Sequence, residues 1–191
     1  QIIKKNLEKE GIENNSINNA LNCIDKSLKI MSNNLIDLKS LDNFSPQRVS
    51  IKNVLEEGTR LASVYITDKQ ITVSTNINKD AIVFIDENKF LACIVNIIKN
   101  AIEAIKENGK IDINLEIQNN EAHIKISNNG EPISKEKQNA IFEEGFTTKQ
   151  TGSGLGLHIC SNNLKAQNAI LKLNYSTPQK TEFEIVLPIY N

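Results

Sequence analysis

The stretch Ile141 to Ile159, IFEEGFTTKQTGSGLGLHI, decides how the rest of the chain is interpreted. It holds Gly145, Gly152, Gly154 and Gly156 within twelve residues, and it becomes apolar at helical spacing after the last glycine. Glycine lets the backbone approach an anion closely, and the first turn of a helix offers unpaired N–H groups at the positive end of its dipole. The stretch therefore predicts a phosphate-binding loop that leads into a helix. An isolated G-x-G-x-G can also be a plain surface loop, so the surrounding sequence must decide.

Composition limits the classes of function. The 191 residues suit one domain with an appendage, and 22 basic and 23 acidic residues are well mixed, so no basic face for nucleic acid is expected. Cys23, Cys93 and Cys160 lie far apart, which favours buried thiols over disulfides or a metal cage. No apolar run approaches the ~18 residues that span a membrane. We expect a cytoplasmic chain, an excerpt of a parent that could carry membrane or sensor segments.

Residues 1–45 are predicted to form a separate helical region. After a helix tail that stops at Gly11, a second helix carries apolar residues at alternating spacings of four and three, the a/d seam of a coiled coil. A helix lying on its own domain's core would show a wider apolar face, so a dimeric bundle is favoured. Pro46 ends the helix and places a domain boundary between residues 45 and 46. The seam consists of Ile17, Leu21, Ile24, Leu28, Met31, Leu35 and Leu38.

Residues 46–191 show a mixed pattern of helices and strands. Alternating apolar residues predict strands at 49–51, 71–77, 111–117, 122–126, 170–175 and 181–187, and a continuous apolar run predicts a buried strand at 81–85. Helices are predicted at 52–66, at 87–107 and after the glycine loop. Asn119 and Asn120 predict a hairpin turn. The pattern indicates an α+β fold, a two-layer sandwich with a mostly antiparallel sheet and helices on one side.

The predicted helix 87–107 carries an unusual polar face. Asn96, Asn100 and Glu103 gather opposite its apolar residues, although asparagine is a poor helix former. A solvated face is the plain alternative. However, the neutral carbonyl oxygen of asparagine can ligate Mg²⁺, which proteins often share with substrate phosphates. The apolar face consists of Leu91, Ile94, Val95, Ile98, Ala101, Ile102 and Ile105.

These features occur in an order that resembles the catalytic domain of sensor histidine kinases. That domain has the Bergerat-type ATP-binding fold and belongs to the superfamily of type II topoisomerases such as gyrase, clamp-type heat-shock chaperones and mismatch-repair ATPases. The resemblance covers roughly residues 48–190, and residues 12–43 also resemble the second helix of the kinases' dimerisation hairpin. The matching motifs are Asn96-x-x-x-Asn100-Ala101-x-Glu103-Ala104, Asn128-x-Gly130, Phe142-Glu143-x-Gly145-Phe146-Thr147-Thr148-Lys149, Gly152-x-Gly154-Leu155-Gly156-Leu157 and Thr181-x-Phe183-x-x-x-Leu187-Pro188.

The resemblance implies ATP and Mg²⁺ as ligands. Asn100 would bind Mg²⁺ with Asn96 beside it. Asn128, with Thr181 nearby, would read the adenine amino group, and residues from about 134 to 153 would form a mobile lid. The γ-phosphoryl group would pass to a histidine upstream of this chain and then to a response regulator receiver domain, within a homodimer formed through the N-terminal helix. The implied ATP-binding residues are Asn96, Asn100, Asn128, Gly130, Ile133, Phe146, Thr147, Thr148, Lys149, Gly152, Gly154, Leu155, Gly156, Leu157 and Thr181.

Two departures from the family pattern leave alternatives open. The family usually has Asp at the position of Asn128 and Gly at that of Pro132, so the contact to adenine loses charge assistance and the lid entry is stiffer. A degenerate regulatory module without kinase activity is one alternative. An ATP-hydrolysing clamp is another, although such proteins use a glutamate where this chain has Asn96. His123 and His158 are predicted to have solvated or packing roles.

Overall fold

The computed structural model describes residues 44–67, 69–148 and 153–190. The chain divides into two units, Gln1–Leu41 and Asp42–Asn191, and every described residue belongs to the second. The predicted N-terminal helix and its dimer seam lie outside the described residues, so they remain predictions. None of the helices in the described ranges has both the length and the apolar character needed to cross a membrane.

The described residues form helices and strands close to those predicted. The helices are α1 (Ile51–Ala62), α2 (Glu87–Ala104) and α3 (Gly156–Lys165), and short 3₁₀ turns lie at Ser63–Tyr65 and Ala140–Phe142. The strands are β1 (Gln47–Ser50), β2 (Gln70–Ile77), β3 (Ile82–Ile85), β4 (Asn108–Gln118), β5 (Glu121–Asn128), β6 (Ile170–Ser176) and β7 (Thr181–Pro188).

Five of these strands form one sheet in the order β2-β4-β5-β7-β6. The β2–β4 pair is parallel and the other pairs are antiparallel. Asn119 and Asn120, with φ of 50° and 64°, make the tight turn between β4 and β5 in the left-handed conformation that asparagine tolerates. Apolar side chains on one face of the sheet are buried in the same core as those of the helices. The predicted two-layer α+β sandwich with a mostly antiparallel sheet is confirmed.

Helix α2 lies at the centre of the helical layer. Phe90, Cys93 and Ile97 are buried in addition to most of the predicted face, so its apolar surface is wider than predicted. The physical reason is that α2 packs against both α1 and α3. A Cβ atom on Gly58 of α1 would lie 2.5 Å from Ile94 Cγ2, and only glycine allows that approach.

Both ends of α2 are capped by side chains. The Asp86 carboxylate accepts a hydrogen bond from the Lys89 N–H at 3.0 Å, as an N-cap should. At the other end, Lys69 Nζ donates to the carbonyl oxygens of Ile102 at 2.9 Å and Ile105 at 2.5 Å. A cation on the terminal carbonyls complements the negative end of the helix dipole. The helix ends at Ala104, three residues before the predicted end.

The prediction of a buried strand at 81–85 is only half right. Val83 and Ile85 are buried, whereas Ile82 and Phe84 are 40% and 46% exposed. The reason is that β3 pairs with β1 in a separate two-stranded sheet, of which only one face meets the core. Phe84 instead makes an edge contact with Tyr190, with ring centroids 6.0 Å apart.

The outer face of the five-stranded sheet carries a buried carboxylate, Glu184 of β7. Its Oε1 lies 2.9 Å from His123 Nδ1 and its Oε2 lies 2.9 Å from Lys172 Nζ. Burial by itself would raise the pKa of Glu184, but hydrogen bonds from Lys172 and His123 lower it from 4.5 to about 2. His123 therefore has a packing role on this face, as predicted.

We expect Glu184 to make the free energy of unfolding depend on pH. Because its folded pKa is below its unfolded pKa, its contribution is present above about pH 4.5 and is lost as the pH falls towards 2, a change of roughly 2–3 kcal/mol. Chemical denaturation of the wild type and Glu184→Gln between pH 3 and 7 measures this contribution. The difference in unfolding free energy should shrink with falling pH. The exposed Glu144→Gln is the control, and a difference that stays constant with pH would contradict the assignment.

Candidate functional site

One stripe of α2 joins the two ends of the candidate site. Asn96, Asn100 and Ala104 follow one another at intervals of four residues, so they lie above one another on the helix. From Asn96 to Ala104 the stripe extends about 12 Å along the helix axis. Asn96 meets the start of α3, Ala104 meets the exit of β5, and the partly buried Asn100 lies between them.

At the first end, Asn96 packs against Gly156, the first residue of α3. A Cβ atom on Gly156 would lie 2.7 Å from Asn96 Nδ2 and 2.8 Å from its Oδ1, so a larger residue would displace this side chain. Asn96 Nδ2 also donates to Cys160 Sγ at 3.3 Å. Asn96 therefore holds the first turns of α3 against α2, a contact that the sequence did not predict.

Two buried cysteines complete the contact between these helices. Cys93 Sγ donates to the Cys160 carbonyl oxygen at 3.8 Å, and Cys160 Sγ donates to the Cys93 carbonyl oxygen at 3.9 Å. The neighbouring Cys160 thiol and burial raise the pKa of Cys93 well above its usual value. The predicted buried thiols are confirmed for both residues, while Cys23 lies outside the described residues.

The N-terminus of α3 has no side-chain cap. Leu155 occupies the N-cap position and makes no capping hydrogen bond, and the first turn holds no acidic residue. The N–H groups of the first turn therefore have no intrahelical partner, and they lie at the positive end of the helix dipole. This arrangement suits an anion such as a phosphate, as the glycine pattern predicted.

The base of the glycine loop is formed by two glycines in contact. Gly145 and Gly154 both have positive φ, 75° and 70°. A Cβ atom on Gly154 would overlap the carbonyl group of Gly145 and lie 2.8 Å from the Phe146 nitrogen, whereas one on Gly145 would meet nothing within 4 Å. Only Gly154 is therefore required for close approach of the two backbones.

His158 ties α3 to the segment that leads into this loop. Its Nδ1 lies 3.1 Å from the Phe142 carbonyl oxygen, and its Nε2 lies 2.9 Å from Asn162 Nδ2. These partners favour the tautomer that donates through Nδ1 and accepts through Nε2. Phe142 in turn makes an edge contact with Phe183 of β7, with centroids 6.4 Å apart. His158 has the packing role that was predicted for it.

At the second end, Gly130 packs on the last residue of α2. A Cβ atom on Gly130 would lie 2.5 Å from the Ala104 carbonyl oxygen, and the Glu131 N–H donates to the same oxygen at 2.8 Å. Lys106 and Glu131 form an ion pair at 2.5 Å beside this contact. The exit of β5 is thereby fixed one helical turn beyond Asn100.

Asn128, at the end of β5, and Thr181 of β7 define a buried polar site, called the Asn128 pocket below. Asn128 is 5% exposed and faces Thr181 of β7 in the strand register. Among the described residues, no hydrogen-bond partner reaches its Nδ2 atom. Buried polar nitrogens are nearly always paired, so this atom indicates an unfilled hydrogen-bonding site.

Ser176 is a residue of this pocket that the sequence did not identify. Its Oγ lies 2.6 Å from Thr181 Oγ1 and accepts a hydrogen bond from the Ile133 N–H at 2.8 Å. The only sequence signal is its place between the predicted strands 170–175 and 181–187, and in the structure it pairs with Thr181. Ser176 links the start of the predicted lid to the pocket.

The structure brings Asn96 and Gly156 together at one end of this stripe and Gly130 to the other end, with Asn100 between them. Lys149 and Gly152 lie outside the described residues, so their roles remain predictions. Within the described ranges, no group of three or more His, Cys, Asp or Glu side chains is arranged to hold a metal ion. The predicted Mg²⁺ ligands are asparagine oxygens, which do not belong to such a group. Thr147, Thr148 and Leu155 are exposed, and Ile133, Phe146 and Leu157 are partly buried.

This chain is similar to known proteins. Residues 85–191, more than half of the chain, match the family described as histidine kinase-, DNA gyrase B-, and HSP90-like ATPase. Sporulation kinase A of Bacillus subtilis (strain 168) is 28% identical over 160 residues, which cover 83% of this chain and 26% of that protein. This chain therefore spans about a quarter of that relative's length.

Solved structures have the same fold. The catalytic domain of the histidine kinase ThkA, in a nucleotide-free form, is 27% identical with a TM-score of 0.69, covering 76% of this chain and 96% of that chain. ThkA in complex with the response regulator protein TrrA has a TM-score of 0.69 at 22% identity, covering 98% of this chain and 56% of that chain. This second likeness concerns the fold alone.

Substitution of the two loop glycines tests the contact at the base of the loop. Gly154→Ala should weaken binding of a non-hydrolysable ATP analogue at least ~10-fold, because it adds a clash of about 1–3 kcal/mol to the strain of a positive φ. Gly145→Ala carries the same strain without the clash and is the matched control. Calorimetric titration gives both affinities. Equal losses in the two variants would show that backbone strain, rather than close approach, governs the loop.

Proposed function

We propose that this chain, which belongs to the family of histidine kinase-, DNA gyrase B- and HSP90-like ATPases, is the ATP-binding catalytic part of a histidine kinase. The observation that carries the proposal is the α2 stripe. It connects a neutral polar pocket at Asn128 with an uncapped helix N-terminus at Gly156, and Asn100 lies between them. A nucleotide needs these three environments for its base, its metal-bound phosphates and its phosphate chain.

The pocket at the end of β5 would hold the base. Asn128 offers a carbonyl oxygen to the adenine amino group, and its unpaired Nδ2 is already desolvated. Thr181, which pairs with Asn128 in the strand register, and Ser176, which contacts Thr181, would lie beside the base. Since Gly130 adds no side chain against α2, the base could lie close to the end of that helix.

The uncapped turn of α3 would hold the phosphate chain. Its N–H groups and dipole neutralise negative charge without a counter-ion from the protein. Asn100 would contribute an amide oxygen to Mg²⁺, which when bound neutralises phosphate charge and orients the transferring group. Asn96 would act chiefly by holding α3 in place, since its amide packs on Gly156 and donates to Cys160. Lys149 would approach the terminal phosphates from the lid.

Phosphoryl transfer needs little covalent chemistry from the protein, so positioning and charge neutralisation carry the catalysis. Hydrolysis by a clamp-type mechanism would need a general base in the place of Asn96, and a neutral amide cannot supply one. We propose a histidine outside residues 1–191 as acceptor and a response regulator receiver domain as the next acceptor. The structure of ThkA in complex with the response regulator protein TrrA supports a partner of this kind. The N-terminal helix would form a homodimer in the cytoplasm.

Asn100→Ala tests the proposed metal contact. The wild type should bind an ATP analogue more tightly with Mg²⁺ than with EDTA, and the variant should lose most of this gain, about 10-fold in affinity, with the metal-free affinity unchanged. Asn88→Ala, at an exposed position of the same helix, is the control for loss of an asparagine. A melting temperature that collapses in Asn100→Ala without nucleotide would instead make Asn100 a structural residue. No binding at millimolar nucleotide by the wild type would favour a degenerate regulatory module.

A phosphorylation assay tests the proposed acceptor. The chain's two histidines are engaged, His123 by Glu184 and His158 by Phe142 and Asn162, so residues 1–191 alone should not label with radioactive ATP. A chain extended upstream to include a histidine should gain acid-labile, base-stable label. Label on the short chain that disappears in His123→Ala or His158→Ala would contradict this proposal. An extended chain that binds ATP but never labels would contradict kinase activity.

A further inference from the structure

The unpaired nitrogen of Asn128 requires a hydrogen-bond acceptor from the ligand. Nδ2 is fully buried and lacks a partner among the described residues. A buried donor without a partner loses its hydration without compensation, so a ligand that supplies an acceptor is favoured. A ligand that offers only donors would satisfy the Asn128 oxygen and leave the nitrogen unpaired.

The two hydroxyl groups beside Asn128 have no fixed role as hydrogen-bond donor or acceptor. The Thr181 and Ser176 hydroxyls are 2.6 Å apart, and either can be the donor. Ser176 already accepts from the Ile133 N–H, so a proton given by Ser176 to Thr181 would free the Thr181 proton for the ligand. Each of these hydroxyls, like the Asn128 amide, can therefore present a donor or an acceptor.

Two carboxylates at the end of β5 lie on the other side of the sheet. Ser127 follows the outward alternation of β5 and is paired in register with Asp112 and Glu182. Asn128 points the opposite way, because successive side chains of a strand face opposite sides. Those two carboxylates therefore do not impose a polarity on the pocket, and no partner among the described residues holds the Asn128 Nδ2 atom in one orientation.

Purine bases differ in the groups that such an amide would meet. A 6-aminopurine has a donor at C6 and an acceptor at N1, whereas a 6-oxopurine has an acceptor at C6 and a donor at N1. An amide matches the first with its oxygen towards C6 and the second after a half-turn about its side-chain bond. A carboxylate, which only accepts, matches the 6-amino group and is repelled by the 6-oxo group.

We propose that this site takes 6-oxopurine nucleotides as well as adenine nucleotides, and that Asn128 is the residue that decides this breadth. The inference rests on the proposed nucleotide-binding function and adds a substrate class to it. A pocket with fixed polarity would leave two buried groups mismatched and discriminate by about 100-fold or more. A pocket whose amide and hydroxyl groups reorient with the ligand discriminates far less between the two classes of purine.

The binding of ADP and IDP to the wild-type chain tests the inference directly. IDP is the suitable probe because it differs from ADP only at C6 and N1 and carries no 2-amino group. Competition against a fluorescent ADP analogue gives both dissociation constants. We expect IDP to bind within about 30-fold of ADP. If ADP binds and IDP is weaker than that, the inference fails while the proposed function stands, and if neither binds, the proposed function fails.

Two aspartate variants locate the effect. Asn128→Asp should raise the preference for ADP over IDP at least ~10-fold above the wild-type ratio, because the carboxylate accepts only. Asn129→Asp is the matched control: it adds the same charge one residue away, on an exposed side chain that already accepts from the Lys110 N–H. An unchanged ratio in a folded Asn128→Asp protein would overturn the role of Asn128. If that variant does not fold, the wild-type comparison still decides the breadth.

Discussion

The close approach of glycine backbones is the constraint on which the candidate site depends. Gly130 packs on the carbonyl group of Ala104, and Gly156 packs on the amide of Asn96, both on one stripe of α2. A methyl group at either position would push the strand exit or the helix start away from α2. These two contacts therefore fix both ends of the site on a single rigid helix, with Asn100 between them.

The rigidity of α2 depends on the core around it. The helix is buried between α1 and α3, its first turn is capped by Asp86, and its last carbonyls are capped by Lys69. A site built on a well-packed helix holds its groups more precisely than a site built on loops. The packing of α2 therefore holds Asn96, Asn100 and Ala104 in fixed positions relative to one another.

The sheet separates two electrostatic environments. On its outer face Glu184 forms an ion pair with Lys172 and a hydrogen bond with His123, whereas Asn128 and Thr181 on the inner side carry no charge. In the Asn128 pocket, the orientation of the amide and hydroxyl groups sets which positions donate and which accept hydrogen bonds, whereas a carboxylate would only accept. The exchange of aspartate for asparagine at position 128 therefore matters for the base specificity proposed above.

The sequence by itself determined the element order, the sandwich class and the positions of the glycine loop and the asparagine helix, because periodicity and glycine placement act over a few residues. It could not determine that Ile82 and Phe84 are exposed, since a short apolar run does not show which faces its sheet will cover. The contacts of Asn96 with Cys160, and of Ser176 with Thr181, were decided only by the tertiary structure. They join residues on separate elements, and a side chain's partner across such a contact depends on packing angles and strand register that no local pattern encodes.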